Sequence, residues 1–476
     1  MLSFEEVAVI DENSGYRGVP PEDLMENAGE GLAEEIMKRY SERPVIFFCG
    51  TGNNGGDAYV AARYLAEEWR SEEITVYLIK GEENVRSDIA RKNLDKLDPT
   101  IMVEKELDQL QIKEKSIFVD ALLGTGIKGE IREPYRKVIK KMNESSNSVI
   151  SVDVPSGLGA DLAVKSDLTV TFHDVKEGMS QKNCAEIVVK DIVIPEKAVD
   201  HTGPGEMLLY PRPEKDSHKG DNGELLIVGG GPYTGAPVLA ARAAYRTGAD
   251  LVHLVVPSSI YDIVAGYSPS FIVHPVQGEK LNTSHVDEVL KLSEECDSMI
   301  IGPGLGAEER TLKAVEEIIK KVEIPLLIDA DALKAFKQGA VDPNDDIILT
   351  PHRGEFEMLI TGEEDMSLKE KADRFALNNQ VTLLVKGEED YITDGEDYRW
   401  NDFGNEGMTV GGTGDTLSGV VGALMSKGLG SFKAGRLGAY LACSAGDEAF
   451  KEYSWGLLPQ NMIDKIPLIL NERKTS

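Results

Sequence analysis

Short apolar segments of strand length alternate with longer amphipathic segments, and this alternation occurs twice along the chain. In the first half, residues 1–40 are predicted to be helical, and strands are predicted at 45–49, 74–79, 116–120, 148–152, 167–172 and 185–192. Helices are predicted between them at 57–70, 86–97 and 132–144. Strands that alternate with helices predict a parallel sheet covered by helices on both faces.

Residues 195–222 interrupt this pattern, because they contain four prolines and three glycines. Such a segment is typical of a domain boundary, so we expect two domains, 1–210 and 211–476. The second alternation then predicts strands at 224–229, 251–256, 298–302, 325–329, 347–350 and 381–385, with two further short strands at 391–395 and 398–401. Helices are predicted at 236–247 and 307–321, and two helices near 413–428 and 432–450 are expected to close the chain.

Composition narrows the class of protein. The formal net charge of −31 argues against nucleic-acid binding, which needs clustered Lys and Arg. The most apolar segments have strand length, so no membrane partner is expected, and the acidic N-terminus lacks the features of a signal peptide. The four cysteines are scattered without a CxxC pair, which predicts free thiols in a reducing compartment. We therefore expect a cytoplasmic enzyme, and we expect it to form a homo-oligomer.

A dense glycine run follows the first predicted strand. Gly50, Gly52 and Gly55 fit the GxGxxG pattern between a strand and a helix, where glycines let the backbone approach a pyrophosphate. Lys80 stands near the end of the second strand, where a dinucleotide site usually has an acid. The run therefore predicts a ligand-binding turn, with an ordinary tight turn as the alternative.

Two further polar loops end the next strands of the first half, and they carry Asp120, Asp153 and Ser156. Because ligands of open α/β sheets gather at the carboxyl ends of strands, these loops are expected to share one pocket. Oxygens from Asn54, Asp120 and Ser156 suit a hard cation such as potassium. Asp153 is a candidate for acid–base work, with a capped turn as the alternative for any single Asp.

The strongest signal in the second half is GNEGMTVGGTGD at 404–415, directly before a predicted helix. Glycines at a helix N-terminus leave N–H groups free to bind phosphate oxygens. The negative charge of Asp415 would repel a phosphate group at this position. Its presence is explained if Asp415 acts as a general base that accepts a proton from a nearby hydroxyl. The alternative is a glycine-rich helix start in which Asp415 only caps the helix.

Other polar loops of the second half are expected to surround the same site. They include 217–220 before the first strand, 229–237 after it, 302–306, and the loop that holds His352. Asp329, Asp331 and Glu355 are predicted to hold Mg²⁺ through water, and solvated surface acids are the alternative.

Five motifs of the first half resemble the NAD(P)H-hydrate epimerase domain, and they occur in its order: LMENAG at 24–29, GTGNNGGD at 50–57, DALLGTG at 120–126, DVPSGL at 153–158 and FHDVKEGM at 172–179. The resemblance implies a Rossmann-like three-layer sandwich, potassium ligation by Asn54, Asp120 and Ser156, and a catalytic centre of Asp153 and Lys176. It implies that the hydrate binds at Asp153 and at Asn53, Asn54, Gly55, Gly56, Asp57, Gly124, Thr125, Gly126, Ile127, Lys128, Gly129 and Glu130.

The second half resembles the ribokinase-like superfamily, and within it the NAD(P)H-hydrate dehydratase, through HKG at 218–220, GPGLG at 302–306, IDADAL at 328–333, TPHRGE at 350–355, LLVKG at 383–387 and the 404–415 motif. This resemblance implies a ribokinase-like three-layer sandwich with Asp415 as a catalytic residue. It implies hydrate contacts at Ala236, Gly304 or Gly306, His352 and Asp415. Nucleotide contacts are implied at Lys386, Gly387, Glu388, Glu389, Asp390 and Gly414, although the family often lacks the acids that follow Gly387 here.

Together the two resemblances imply an enzyme that repairs hydrated NADH and NADPH. An epimerase would interconvert the R and S hydrates (NADHX and NADPHX), and a dehydratase would use Mg²⁺ with ADP or ATP and release phosphate. One alternative is a sugar-type or hydroxymethylpyrimidine-type kinase with an appended binding module. Another makes the first half a non-catalytic nucleotide-binding or protein-interaction module.

Overall fold

The chain divides into two structural units, Met1–Val199 and Asp200–Ser476. The computed structural model describes residues 1–40, 43–69, 73–336, 346–360 and 365–472. The dividing line precedes the predicted junction near residue 210 because the intervening residues bond within the second unit. The backbone N–H of Thr202 donates to the carbonyl of Trp400 at 2.7 Å, and buried Glu206 pairs with Arg436.

The first unit contains a seven-stranded parallel sheet in the order β3-β2-β1-β4-β5-β6-β7. Its strands are β1 Val45–Cys49, β2 Ile74–Leu78, β3 Met102–Glu104, β4 Ile117–Ala121, β5 Ser148–Val152, β6 Ser166–Phe172 and β7 Cys184–Lys190. Its helices are α1 Phe4–Tyr16, α2 Pro21–Arg39, α3 Asn53–Glu68, α4 Asp88–Asp95 and α5 Tyr135–Glu144, and α6 Glu196–Asp200 spans the dividing line. Residue 70, the predicted last residue of one helix, lies outside the described residues.

Alternation of side chains along β1 explains the three layers of this unit. Phe47 belongs to one buried apolar cluster together with Leu32 of α2, while Phe48 belongs to another together with Val138 of α5. Successive strand residues point to opposite faces of a sheet, so both faces must be covered. The expected Rossmann-like sandwich is confirmed.

The second unit contains a nine-stranded sheet in the order β10-β9-β8-β11-β12-β13-β14-β15-β16, in which only the pairs β14–β15 and β15–β16 are antiparallel. Its strands are β8 Glu224–Val228, β9 Leu251–Pro257, β10 Ile272–Val276, β11 Ser298–Ile301, β12 Leu326–Ile328, β13 Ile347–Leu349, β14 Thr382–Val385, β15 Asp390–Thr393 and β16 Tyr398–Asn401. Its helices are α7 Gly235–Thr247, α8 Tyr261–Ala265, α9 Val286–Ser293, α10 Glu309–Ile319, α11 Arg353–Leu359, α12 Leu368–Asn379, α13 Thr413–Ser426, α14 Ser431–Tyr453 and α15 Pro459–Glu472.

Helices cover both faces of this sheet as well. Leu226 and Val228 of β8 pack in the same apolar cluster as Val315 of α10, whereas a β-carbon on Gly422 of α13 would lie 3.4 Å from Leu225 on the opposite face. The expected three-layer α/β architecture is therefore confirmed in the second unit.

The prediction that two helices close the chain is wrong, because α15 follows them. Pro467 lies inside this helix, and an interior proline argues against a helix because it removes a backbone hydrogen bond. Packing outweighs that cost, since Met462, Ile463 and Ile466 are buried. Among the described residues, no helix combines the length and the apolar composition that a bilayer crossing requires. All four cysteines are buried and unpaired, as predicted.

Candidate active sites

The first candidate site lies at the carboxyl ends of β1 and β4, where the strand order of the first sheet reverses. Open α/β sheets bind ligands at such reversals. Gly50 follows β1, and a β-carbon at this position would lie 1.8 Å from the carbonyl oxygen of Leu122. Only glycine therefore lets the loops after β1 and β4 approach each other this closely.

Residues 53–57 form the first turn of α3, so the prediction that this helix starts at residue 57 is wrong. Gly52 has extended backbone dihedrals and no side chain caps the helix. The first-turn N–H groups thus lack a side-chain partner and are suited to an anion, which is consistent with the glycine-run prediction.

A buried carboxylate network connects the predicted potassium ligands. The carboxylate of Asp120 accepts hydrogen bonds from the Ser156 hydroxyl at 2.5 Å, the Ser156 N–H at 2.8 Å and the Ser151 hydroxyl at 2.9 Å. Burial raises the pKa of Asp120, although these hydrogen bonds oppose the shift. The carbonyl of Leu123 accepts from the Asn54 amide at 3.4 Å and lies 3.1 Å from the Ser156 hydroxyl oxygen. Asn54, Asp120 and Ser156 are thus brought together around one carbonyl.

This donor set fits a potassium ion. The side chains and the Leu123 carbonyl supply oxygen atoms of the kind that hard cations prefer. The contacts that the structure gives Asp120 come from hydroxyl and N–H groups rather than from a basic side chain. A cation beside this buried carboxylate would reduce the electrostatic cost of its ionisation.

An ion pair between Lys176 and Asp153 lies at the end of β5. Lys176 is only 2% exposed, and its ammonium group contacts the Asp153 carboxylate while donating to the Thr171 hydroxyl at 3.0 Å and the Phe172 carbonyl at 2.6 Å. Asp153 has a φ of 62°, a strained conformation for a residue other than glycine, which is often stored at functional sites. The predicted catalytic pair is therefore brought into contact.

Two further carboxyl groups interact electrostatically with this pair. Burial raises the pKa of Asp57 well above its usual value, and the charges of Asp153 and Asp11 raise it further. Asp11 is exposed as a residue, but the protein atoms around its carboxyl group displace water from it. This desolvation, together with repulsion from Asp153, raises the pKa of Asp11 to about 6. The sequence prediction missed Asp11, which resembles the other acids of its helix. The N-terminal segment reaches this site because Leu2 pairs with the backbone beside Lys176.

The loop 124–130 adjoins this site at its first residue. A β-carbon on Gly124 would lie 3.9 Å from that of Asn54. Farther along, the carbonyl of Gly129 accepts from the N–H of Asp161 at 3.0 Å, and Lys128 and Glu130 are exposed. The loop thus runs outward from the potassium candidate site toward solvent.

The second candidate site lies at the start of α13. Gly412 precedes the helix with a φ of 101°, which favours glycine, and no side chain caps the helix. Asp415 lies in the first turn, and burial together with the charge of Asp329 raises its pKa to about 7, while Lys386 opposes the shift. A carboxyl group with a pKa near neutrality is suited to general-base catalysis.

Lys386 and Asp329 form an ion pair next to Asp415. The Lys386 ammonium group lies 2.9 Å from Asp329, whose other carboxylate oxygen accepts from the Ser418 hydroxyl at 2.5 Å. Burial alone would raise the pKa of Asp329, but Lys386 and Ser418 lower it. The Lys386 ammonium group also lies 3.4 Å from where a β-carbon of Gly414 would be. The predicted nucleotide residues Lys386 and Gly414 are therefore adjacent.

The predicted hydrate contacts Ala236, Gly304 and Gly306 lie at the reversal of strand order between β8 and β11. A β-carbon on Gly304 would lie 3.3 Å from that of Ala236. The N–H of Gly306 donates to Asp331 at 3.1 Å. Ala236 belongs to α7, whose Leu239 would contact a β-carbon on Gly412 at 2.6 Å. This group therefore adjoins the start of α13.

His352 caps α11, a role that the sequence prediction did not assign. Its Nδ1 accepts from the N–H of Glu355 at 3.1 Å, and its own N–H donates to the Glu355 carboxylate at 2.9 Å. The ring is 60% exposed. The backbone of His352 pairs with Lys386, so the cap lies beside the predicted nucleotide loop.

Residues 386–390 form a tight turn between β14 and β15. Asp390 is buried, and its carboxylate accepts from the N–H of Gly387 and the amide of Asn401, each at 3.0 Å. The Asp390 side chain therefore stabilises the turn, whereas the resemblance to the dehydratase family implies that this residue contacts the nucleotide. Glu388 and Glu389 are exposed.

Comparison with known proteins agrees with this division into two sites. The family model described as NAD(P)H-hydrate dehydratase matches residues 225–468, and the model described as YjeF-related protein N-terminus matches residues 21–178. A bifunctional NAD(P)H-hydrate repair enzyme from Archaeoglobus fulgidus is 39% identical over 98% of this chain and 97% of its own length. The chain belongs to the family of bifunctional NAD(P)H-hydrate repair enzymes.

Two other proteins extend the comparison. The repair enzyme of Methanothermobacter thermautotrophicus is 38% identical over 98% of this chain and 94% of its own length. A ribokinase-like superfamily protein from Enterococcus faecalis V583, whose crystal structure is known, is similar in fold with a TM-score of 0.50 and 24% identity, over 57% of this chain and 95% of that chain.

Water-mediated binding of Mg²⁺ by Asp329, Asp331 and Glu355 stays a prediction. Within the described ranges, no three His, Cys, Asp or Glu side chains are placed to hold a metal ion directly. Each acid has another partner: Asp329 pairs with Lys386, Asp331 with Lys334 at 2.7 Å, and Glu355 with the cap residue His352.

One prediction about the second site is wrong, and it concerns the segment 217–220. It precedes β8 and therefore lies at the amino edge of the sheet, where the N–H of Gly220 donates to Asp250 at 3.0 Å. Lys427, at the far end of α13 from Asp415, donates to the nearby carbonyl of Asn222 at 3.3 Å. A helix of this length places the segment about 20 Å from Asp415.

Proposed function

We propose that this chain repairs hydrated NADH and NADPH, with an epimerase site in the first unit and an ADP- or ATP-dependent dehydratase site in the second. The observation that carries the proposal is the position of Asp415, a carboxyl group with a pKa of about 7 at the uncapped start of α13. One structural element thereby offers a proton acceptor and N–H donors for a phosphoryl group. The family membership supplies the class of substrate.

In the dehydratase reaction, Asp415 accepts the proton of the hydrate's ring hydroxyl. The resulting oxygen attacks the terminal phosphorus of ADP or ATP, and the bond to the bridging oxygen breaks, which leaves AMP or ADP. The first-turn N–H groups of α13 stabilise the transferring phosphoryl group, and Lys386 offsets part of its charge. Loss of phosphate and of a proton from the neighbouring carbon then restores the double bond of the reduced nicotinamide.

Metal ions contribute differently at the two sites. In the first unit, Asn54, Asp120, Ser156 and the Leu123 carbonyl would hold potassium, whose charge favours an electron-rich substrate group nearby. In the second unit the carboxylates are already paired, so Mg²⁺ would be held mainly by the nucleotide phosphates, as is usual for this ion.

At the epimerase site, inversion requires that one bond to the carbon bearing the hydroxyl breaks and re-forms on the other side. Asp153 and Lys176 are in contact and can accept and return the proton that this change moves. The acid Asp57, whose pKa is raised, adds a second proton-carrying group at the same site.

The test uses the full chain and purified S hydrate with ADP or ATP. We expect one phosphate released per NADH formed, with Asp415→Asn slower by about two to four orders of magnitude. For the first site, we expect R and S hydrates to interconvert without nucleotide, and faster in potassium than in choline salts, with this salt effect lost in Ser156→Ala. A stable phosphorylated sugar or pyrimidine product, with the hydrate untouched, would replace this proposal by a kinase.

A further inference from the structure

Arg353 places its guanidinium group against the turn that is expected to bind the nucleotide. A β-carbon on Gly387 would lie 2.9 Å from the Arg353 Nε and 3.2 Å from its Nη2. The guanidinium group therefore occupies the space that a side chain at residue 387 would need. The first residue of α11 is thus in direct contact with the turn that joins β14 to β15.

This contact brings Arg353 close to the phosphoryl site. Lys386, the residue before Gly387, has its ammonium group 3.4 Å from where a β-carbon of Gly414 would be. The N–H of Lys386 also donates to the carbonyl of Pro351 at 2.8 Å, which fixes the two loops side by side. Arg353, Lys386 and the start of α13 therefore form one continuous row.

The charges along this row indicate that the positive charge of Arg353 has a role in binding. Lys386 is already paired with Asp329, and the exposed acids Glu388 and Glu389 follow Gly387. A nucleotide polyphosphate would meet this negative charge unless another cation offsets it. No ion pair among the described residues engages Arg353, and its side chain is exposed.

Arg353 is not needed to hold its own helix. The start of α11 is capped by His352 and Glu355, which exchange two hydrogen bonds. Replacing Arg353 therefore leaves the cap of α11 in place.

We propose that Arg353 binds the non-bridging phosphate oxygens of ADP or ATP. The inference rests on the proposed dehydratase function and adds a binding residue to that site. The planar guanidinium group offers paired N–H donors that match two phosphate oxygens, an arrangement that a lysine ammonium group cannot reproduce. The Arg353 charge would also compensate for the acids of the Gly387 turn.

The test measures ADP, ATP and adenosine binding to the full chain by calorimetry. Arg353→Gln is expected to weaken ADP and ATP binding by about ten- to a hundredfold, the usual value of a charge-assisted hydrogen bond, and to leave adenosine binding unchanged. Arg353→Lys should restore part of the loss. Arg310→Gln, which removes an exposed arginine of the same unit, serves as the matched control and should change nothing.

Two results would overturn the inference while the proposed function stands: unchanged ADP and ATP affinity in Arg353→Gln, or an equal loss of adenosine affinity, which would indicate a distorted turn. If the wild-type chain dehydrates the S hydrate without any bound nucleotide, or binds neither nucleotide, the dehydratase proposal itself fails together with the inference.

Discussion

Replacement of Asp415 by Asn tests the electrostatics of the second site through stability as well as activity. Its pKa rises from 3.8 in a free chain to about 7 in the fold. Ionisation of Asp415 therefore costs up to roughly 4 kcal/mol more in the folded protein than in the unfolded chain. The carboxyl group of the folded protein is neutral between about pH 4 and pH 7, whereas that of the unfolded chain is ionised.

The sign of the effect follows from this difference. Folding takes up a proton in that range, so the wild type loses stability as the pH rises from about 4 to about 7, and the penalty is constant above pH 7. Asparagine carries no charge and removes the penalty. Asp415→Asn should therefore match the wild type near pH 4 and exceed its free energy of unfolding by about 1 to 4 kcal/mol at pH 8.

The assay is urea unfolding at several pH values, followed by tryptophan fluorescence, since Trp400 and Trp455 both lie in the second unit. In parallel, kcat/KM of the wild-type dehydratase should fall about tenfold per pH unit below pH 7. Asp287→Asn, at an exposed first-turn acid of α9, is the control and should leave both profiles unchanged. The reasoning is refuted if Asp415→Asn is no more stable than the wild type at pH 8, or if wild-type kcat/KM is flat down to pH 5.5.

Three further variants and one control variant probe other parts of the chain. Asp153→Asn should abolish interconversion of the hydrates, measured by chromatography, but leave dehydration of the S hydrate intact; equal loss of both activities would argue against separate sites. Arg436→Met removes the guanidinium group that pairs with the buried carboxylate of Glu206 and should cost about 3–5 kcal/mol in urea unfolding; a loss below 1 kcal/mol would contradict this. Gly419→Ala would place a β-carbon 2.1 Å from a carbonyl of α7 and should cost about 1–3 kcal/mol, whereas Gly411→Ala, with nothing within 4 Å, should stay within about 0.5 kcal/mol.

Much of the fold could be predicted because buried parallel strands have a strong local signal. β1, for example, is a continuous apolar run that ends at a glycine, and both its faces are buried. β10 lacks that signal, since it is an edge strand with partly exposed residues and contains Pro275. A proline also explains why α15 was not predicted. Pro467 lies inside this helix, and the packing that stabilises the helix cannot be recognised from the local sequence.

In the candidate sites, too, the residues on predicted strand-end loops could be identified from the sequence, whereas residues brought in by packing of distant segments could not. Strand-end loops predicted that Asp120 and Ser156 meet, because the topology of a parallel sheet dictates it. No local pattern predicts that Asp11 reaches the first site, since this depends on backbone pairing of the N-terminus with residues near Lys176. Likewise, the contact of Arg353 with Gly387 depends on how two loops pack.

A single progress curve shows whether one chain carries both steps of hydrate repair. Full-length protein is added to an epimeric mixture of NADH hydrate in buffer with potassium and Mg²⁺, and the absorbance of the reduced nicotinamide is followed with and without ADP or ATP. We expect no recovery without nucleotide and, with the nucleotide that the enzyme uses, recovery that consumes both epimers completely. Recovery that stops at the S fraction would contradict the epimerase assignment, and a flat trace with both nucleotides would contradict the dehydratase assignment.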